Sequence, residues 1–295
     1  MSVQEIVGPV SSYYVSQRLE LHFVDWGNES KPPLLLIHGG KDHARSWDRV
    51  ARALRDEHHV LAVDLRGHGD SDWAQGSTYT LPEYVLDVAQ LIEVLGLAPV
   101  AIVGHSMGAA VSLYYTGVYP QKVRRLVAIE GMGAPPELRV LSEQRELWET
   151  TTAWIDAVRS GARRQPRRYA TIDEAAARMR AENPNLSPEL AHHLTVHGVA
   201  RNEDGSFSWK FDNASRPLFP QRGAPGALER LWQRITCPTL LVHGREGWHG
   251  DPAKDGRAAH VANARVVEIP GAGHWVHHDQ LELFLAAARP FLAEP

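Results

Sequence analysis

The stretch that decides the fold is Val100-Ala-Ile-Val-Gly-His-Ser-Met-Gly108. Its first four residues form a continuous apolar run, which is typical of a strand buried on both faces. The residues from Met107 onward are typical of a helix, which we expect to end before Pro120. Glycines on both sides of Ser106 allow a turn too tight for larger side chains. The stretch therefore predicts a strand, a sharp turn that exposes a serine hydroxyl, and a helix.

Similar apolar runs occur before and after this stretch. Because they are continuous rather than alternating, they predict a mostly parallel sheet with helices on both faces. Helical segments separate them, and Thr80-Leu-Pro-Glu83 is a capping box that opens a helix to about Leu95. The predicted strands are Leu34–His38, Val60–Asp64, Arg125–Glu130, Thr239–His243 and Arg265–Ile269, with an outer strand at Leu19–Trp26 and a closing helix at Gln280–Leu292.

Residues 131–232 interrupt this alternation of strands and helices. They contain no buried-strand run, and two helix starts are visible, at Thr171-Ile-Asp-Glu174 and at Ser187-Pro188. A strand-free segment inserted between two core strands predicts a mainly helical cap. We therefore expect an α/β core formed by residues 1–130 and 233–295, with the cap at 131–232.

The composition excludes several classes of protein. Lys and Arg number 31 against 35 Asp and Glu, so the net charge of −4 does not favour a nucleic-acid binder. The single cysteine, Cys237, excludes an intrachain disulfide and a cysteine-based zinc or iron–sulfur site. The chain lacks a signal-peptide pattern and any run of about 18 apolar residues. We expect a cytoplasmic protein that acts on a small molecule, without a membrane partner; its oligomeric state stays open.

Four motifs in a fixed order carry a resemblance to a known family. They are His38-Gly-Gly40, Asp64-Leu-Arg-Gly-His-Gly-Asp-Ser71, the turn around Ser106, and Gly271-Ala-Gly-His-Trp275. Over nearly its whole length the sequence resembles enzymes of the α/β-hydrolase fold. The resemblance implies that Ser106 is the nucleophile and that His274 is its base. It also implies an oxyanion hole formed by the backbone N–H groups of Gly40 and Met107.

The acid that orients the base departs from the commonest family pattern. Many relatives carry Gly-x-x-Asp after the strand that corresponds to Thr239–His243, whereas this chain reads Gly244-Arg-Glu-Gly247. Glu130 instead ends the buried run after the nucleophile helix, at a strand end where a carboxylate faces a cleft. A serine-hydrolase-like branch of the family, which this chain also resembles, places the acid on that strand. Glu130 is the predicted acid, with Glu246 and Asp251 as alternatives.

These residues predict a serine hydrolase of a small ester or lactone, with amide or carbon–carbon bond cleavage left open. Imidazole titrates near neutral pH and can therefore activate Ser106. A serine at this position argues against dehalogenation and epoxide hydrolysis, which use a carboxylate nucleophile. Two alternatives remain, a cofactor-free oxygenase of an aromatic heterocycle and a ligand-sensing receptor with slow turnover. No cofactor is predicted. No metal site is predicted either, because His193 and His197 lack the glutamate of His-Glu-x-x-His.

Overall fold

A computed structural model describes residues 8–76, 79–136, 145–163, 165–215, 224 and 226–294. Its centre is an eight-stranded sheet, and two further short strands pair with each other. In chain order the strands are β1 (Val10–Ser16), β2 (Leu19–Asp25), β3 (Pro33–Ile37), β4 (His59–Val63), β5 (Val100–His105), β6 (Val123–Ile129), β7 (Val199–Arg201), β8 (Phe207–Trp209), β9 (Thr239–Gly244) and β10 (Ala264–Ile269). Across the large sheet the order is β1-β2-β4-β3-β5-β6-β9-β10.

The large sheet is mostly parallel, as the continuous apolar runs predicted. Only the pairs β1–β2 and β2–β4 are antiparallel. The other neighbours run parallel. Alternate residues of the central strands β3, β4, β5, β6 and β9 enter two separate hydrophobic clusters, so that Leu35 and Ile37 lie in one cluster and Leu34 and Leu36 in the other. Burial on both faces explains why these strands show no polar alternation.

Helices cover both faces of the sheet. In chain order the described helices are α1 (Asp48–Leu54), α2 (Leu81–Val94), α3 (Met107–Val118), α4 (Leu147–Ala162), α5 (Ile172–Glu182), α6 (Pro188–Gly198), α7 (Ala227–Trp232), α8 (Val276–Asp279) and α9 (Leu281–Ala293). Residues of α2 and α3 pack into one hydrophobic cluster, and those of α1 and α9 into the other. The capping box predicted at Thr80 is present. Across the described ranges, every helix is too short or too polar to traverse a bilayer.

The segment between β6 and β9 is mainly helical among its described residues, with α4, α5 and α6. The predicted N-caps are present, since Thr171 and Ser187 each accept a backbone N–H of the following helix. The expectation of a strand-free segment is wrong, because β7 and β8 form an antiparallel ladder. Each strand of that ladder has three residues, too few to leave a pattern in the sequence.

Helix α7 lies in the segment that we predicted as cap, yet it packs on the core. Trp232 is buried in the same hydrophobic cluster as residues of α3. At Gly117 of α3, a Cβ would lie 2.6 Å from the carbonyl oxygen of Leu231. Close backbone contact of this kind fixes α7 against α3, so the chain has returned to the core before β9 begins.

Candidate active site

Ser106 occupies the sharp turn between β5 and α3. Its backbone has φ +52° and ψ −116°, a strained conformation for a residue with a side chain. Its N–H donates to the carbonyl of Ile129 at 2.8 Å. A Cβ at Gly104 would lie 2.5 Å from the carbonyl oxygen of Gly108, and one at Gly108 would lie 2.3 Å from that of Ile37. Both flanking glycines are therefore required by close backbone contacts, as the sequence predicted.

His274 lies in the loop between β10 and α8, with its ring against the serine. The Ser106 hydroxyl lies 2.9 Å from Nε2, a geometry in which the serine donates its proton to the ring. The His274 side chain is 28% exposed, so the site is open to solvent. The preceding residue is fixed, since the Gly273 N–H donates to the Asp279 carboxylate at 2.8 Å. The structure therefore brings together the predicted nucleophile and base.

His105 ties the His274 loop to the turn, a role that sequence reasoning missed. Its Nε2 donates to the His274 carbonyl at 2.8 Å. The ring is buried, and burial together with the neighbouring His274 holds the pKa of His105 well below its usual value. The neutral ring is therefore a stable donor. The only available signal was position, because His105 directly precedes the serine in the Gly-x-Ser-x-Gly pattern.

Glu130 follows β6 and points its carboxylate at the far side of the His274 ring. Its side chain is fully buried, and Oε2 lies 3.3 Å from His274 Nδ1. The other oxygen, Oε1, accepts the N–H of Gly244 at 2.8 Å. A proton on Nδ1 that faces this carboxylate leaves Nε2 free to accept the proton of Ser106. This tautomer is assigned from the hydrogen-bond network.

The absence of a side chain at Gly247 explains why the acid can lie directly after β6. The common family pattern places an aspartate at this position, but a Cβ here would lie 2.8 Å from Glu130 Oε1 and 3.0 Å from Oε2. The Glu130 carboxylate therefore fills the space that a side chain at 247 would need. Two carboxylates in that space would also repel each other. The missing aspartate and the buried glutamate are two parts of one arrangement.

The two alternative acids contact other groups. Glu246 accepts the N–H of Gly271 at 3.3 Å. The Asp251 carboxylate lies 3.6 Å from His243 Nε2 and 3.4 Å from the Lys254 ammonium. Among the described hydrogen bonds and ion pairs, neither carboxylate is joined to the catalytic-site imidazole. Glu130 is therefore the candidate that the geometry supports.

The predicted oxyanion donors lie at the start of α3 and in the loop after β3. Met107 is the first residue of α3, so its N–H belongs to the first turn, where the helix dipole favours negative charge. Gly40 is exposed in the loop after β3, with no atom within 4 Å of its Cβ position. Its neighbour Gly39 is buried against the turn, where a Cβ would lie 3.2 Å from Ser106 Cβ. The oxyanion role of Gly40 and Met107 stays a prediction.

Trp248 and His249 complete the surroundings of the base, and sequence reasoning missed both. The Trp248 ring stacks on His249 with centroids 3.7 Å apart, and His249 lies parallel to His274 at 5.3 Å. Burial lowers the pKa of His249, so this ring is neutral beside the base at neutral pH. Trp248 is 66% exposed. Their position directly after Gly247, the site of the absent aspartate, was the available signal.

Comparison with known proteins agrees with this architecture. Residues 32–281 match the family model described as alpha/beta hydrolase fold. The chain is 26% identical over 286 residues to 2-(acetamidomethylene)succinate hydrolase of Mesorhizobium japonicum, covering 96% of each protein. It is 24% identical over 309 aligned residues to a serine hydrolase-like protein of Dictyostelium discoideum, covering 97% of this chain and 82% of that protein. The crystal structure of E-2-(acetamidomethylene)succinate hydrolase superposes with a TM-score of 0.78 at 26% identity, covering 97% of this chain and 100% of that one.

Proposed function

Because this chain belongs to the α/β-hydrolase fold family, we propose that it is a serine hydrolase that cleaves a small ester or lactone. The observation that carries the proposal is the contact of 2.9 Å between Ser106 Oγ and His274 Nε2. A serine hydroxyl is a weak nucleophile unless a base in such a contact removes its proton. Glu130, at 3.3 Å from the other ring nitrogen, is the proposed acid of a Ser-His-Glu triad.

Acylation begins at the strained turn. Ser106 Oγ attacks the carbonyl carbon of the substrate while His274 Nε2 takes the hydroxyl proton. The buried Glu130 carboxylate stabilises the imidazolium that forms. The N–H groups of Met107 and Gly40 bind the oxyanion of the tetrahedral intermediate. The imidazolium then gives its proton to the leaving alkoxide, so that the alcohol departs and an acyl-enzyme remains.

Deacylation uses the same groups with water as the nucleophile. His274 removes a proton from the water as it attacks the acyl carbon, and the proton then returns to Ser106 Oγ. The carboxylic acid product leaves, and the hydroxyl is restored. With a lactone the alcohol stays attached to the acyl group, so the product is a single hydroxy acid.

The backbone strain at Ser106 favours hydrolysis over the cofactor-free oxygenase. A cofactor-free oxygenase needs a base but no nucleophilic serine. A non-glycine residue in such a conformation costs about 1–3 kcal/mol and persists where the surroundings fix it. That strain aims the hydroxyl at His274, which serves acyl transfer and not proton abstraction from a bound heterocycle. The named relatives above are a hydrolase and a hydrolase-like protein, which supports the same choice.

Turnover of a short-chain aryl ester by wild type and Ser106→Ala tests the proposal. We expect wild type to release a burst of phenol equal to the enzyme concentration, because acylation precedes slower deacylation. Ser106→Ala should lower kcat by about 10⁶-fold. Labelling with a fluorophosphonate provides a second readout, since it needs only an activated serine. Equal activity of the two proteins, or a wild type that neither hydrolyses esters nor takes the label, would contradict the proposal.

A further inference from the structure

Three metal-ligating side chains meet beside the catalytic serine. Glu130, His249 and His274 can each offer one ligand atom, and these atoms all lie within 4.8 Å of one another. The 3.3 Å between Glu130 Oε2 and His274 Nδ1 already equals the ligand–ligand edge, about 3.3 Å, of a zinc tetrahedron with bonds of about 2.0–2.1 Å. The third ligand atom, on His249, lies within 4.8 Å of the other two, and metal binding requires it to move closer to them.

His249 is held in an orientation that suits a ligand. Its Nδ1 lies 3.2 Å from the Gly133 carbonyl, to which it donates, so the lone pair is on Nε2. Metal-ligating histidines commonly fix their tautomer through such a bond to a backbone carbonyl. The buried Arg257 secures both ends of this contact, since it donates to the Gly133 carbonyl at 2.6 Å and to the His249 carbonyl at 2.5 Å.

The charge and access of the cluster suit a divalent cation. One carboxylate and two imidazoles form a donor set that zinc binds in proteins. The Glu130 side chain is buried, and a cation would bring a charge opposite to its own into that environment. Solvent reaches the cluster from the side of the partly exposed His274 ring. The cluster therefore combines a buried negative charge with a side that is accessible to ions from solvent.

We propose that Glu130, His249 and His274 bind a transition-metal dication of the Zn²⁺ class and that binding inactivates the enzyme. The metal takes a lone pair of His274 and the Glu130 carboxylate, and any proton displaced from the ring goes to solvent. An imidazole coordinated at either nitrogen cannot both accept the Ser106 proton and be stabilised by Glu130. The inhibitory half of the proposal rests on the proposed function, whereas the binding half rests on geometry alone.

A second cluster in the chain provides a matched control. Asp48, His193 and His197 also place one ligand atom each within 4.8 Å of one another. There, however, the Asp48 carboxylate is held by Arg45 through contacts of 2.7–3.0 Å. The positively charged Arg45 side chain already binds the carboxylate that a zinc ion would need, so we expect no zinc binding at this cluster.

Isothermal titration of Zn²⁺ into Ser106→Ala tests binding without any dependence on turnover. In that background, His249→Phe keeps an aromatic ring under Trp248 but removes the ligand, and we expect it to weaken zinc affinity by at least about 100-fold. His249→Gln provides a second variant in case the larger ring disturbs folding, which circular dichroism monitors. His197→Phe should leave affinity unchanged. Co²⁺, whose visible spectrum reports tetrahedral ligation, gives an independent readout.

Ester hydrolysis in the presence of Zn²⁺ tests inhibition. Wild type and His197→Phe should be inhibited and should recover when a chelator is added, whereas the rate of His249→Phe, whatever its value without metal, should not fall when zinc is added. The proposal is overturned if His249→Phe and His249→Gln bind zinc as tightly as their parent, if His197→Phe abolishes binding, or if zinc saturates the protein without slowing it. If no ester is hydrolysed at all, the titration still decides whether the site exists, so the two proposals fail separately.

Discussion

At the residue scale, Glu130 and Gly247 depend on each other. Glu130 has a φ of +52°, a conformation that costs a residue with a side chain about 1–2 kcal/mol. This backbone geometry directs the carboxylate to His274 from β6. The space it fills is available because residue 247 has no side chain. The sequence showed the buried glutamate and the missing aspartate separately, but only the distances show that one requires the other.

Gly247→Asp restores the Gly-x-x-Asp pattern that is common in the family. We nevertheless expect it to lower both stability and kcat. Its Cβ would lie 2.8 Å from Glu130 Oε1, and its charge would repel the same carboxylate. We expect a loss of about 1–3 kcal/mol in the free energy of unfolding, measured with urea, and a lower kcat. Gly161→Asp, at a helix position with open space, is the control for the added charge. A Gly247→Asp enzyme as stable and active as wild type would argue against this arrangement.

At the element scale, the sequence predicted every strand of the large sheet except the edge strand β1, and it missed the β7–β8 ladder. Strand β1 was missed because Val10, Tyr13 and Val15 are exposed on an edge strand, which leaves no continuous apolar run. The β7–β8 ladder is too short to be recognised. The order of the strands, and hence the meeting of Glu130 with the His274 loop, depends on long-range pairing that local patterns do not encode. The sequence motifs therefore predict which residues form the site, whereas the strand pairing determines the distances between them.

The close packing of α3 on β3 makes a specific prediction for Gly108. A Cβ there would lie 2.3 Å from the Ile37 carbonyl oxygen and 2.5 Å from that of His38, so Gly108→Ala must push the helix away from the strand. We expect a loss of stability of about 1–3 kcal/mol or more, together with a lower kcat, because Ser106 caps this helix. Gly161→Ala, in helix α4 with open space, should instead gain about 0.5–1 kcal/mol. Equal effects of the two variants in thermal unfolding would contradict this packing argument.

At the scale of the whole molecule, buried histidines link stability to pH. Burial lowers the pKa of His38 and of His278 to about 3, and it holds that of His277 well below its usual value. Below a pH of about 6.5 these histidines bind protons in the unfolded chain but stay neutral in the folded chain. The free energy of unfolding therefore falls as pH falls. Asp42 acts in the opposite direction, because burial raises its pKa to about 6. The histidines outnumber it, and acid should destabilise the protein.

His277→Phe isolates one of these groups. The ring stacks on Trp47 with centroids 4.3 Å apart, and a phenyl ring can keep that contact without titrating. Between pH 6 and pH 4 the variant should lose less stability than wild type, by up to about 1.4 kcal/mol per pH unit. Urea unfolding at several pH values measures this slope. His192→Phe, at an exposed position, should leave the slope unchanged, and an unchanged slope in His277→Phe would refute the assignment.

The central claim, a triad whose acid is Glu130, is tested most directly by kcat in an acid-exchange series. Glu130→Gln keeps the shape of the side chain and should lower kcat by about 10⁴-fold, as the loss of a triad acid does. Glu130→Gly suits the positive φ, clears the space beside Gly247 and should be equally inactive. Adding Gly247→Asp to Glu130→Gly should recover part of the lost kcat. A Glu130→Gln enzyme with wild-type kcat, or loss of activity in Glu246→Gln or Asp251→Asn instead, would contradict the account.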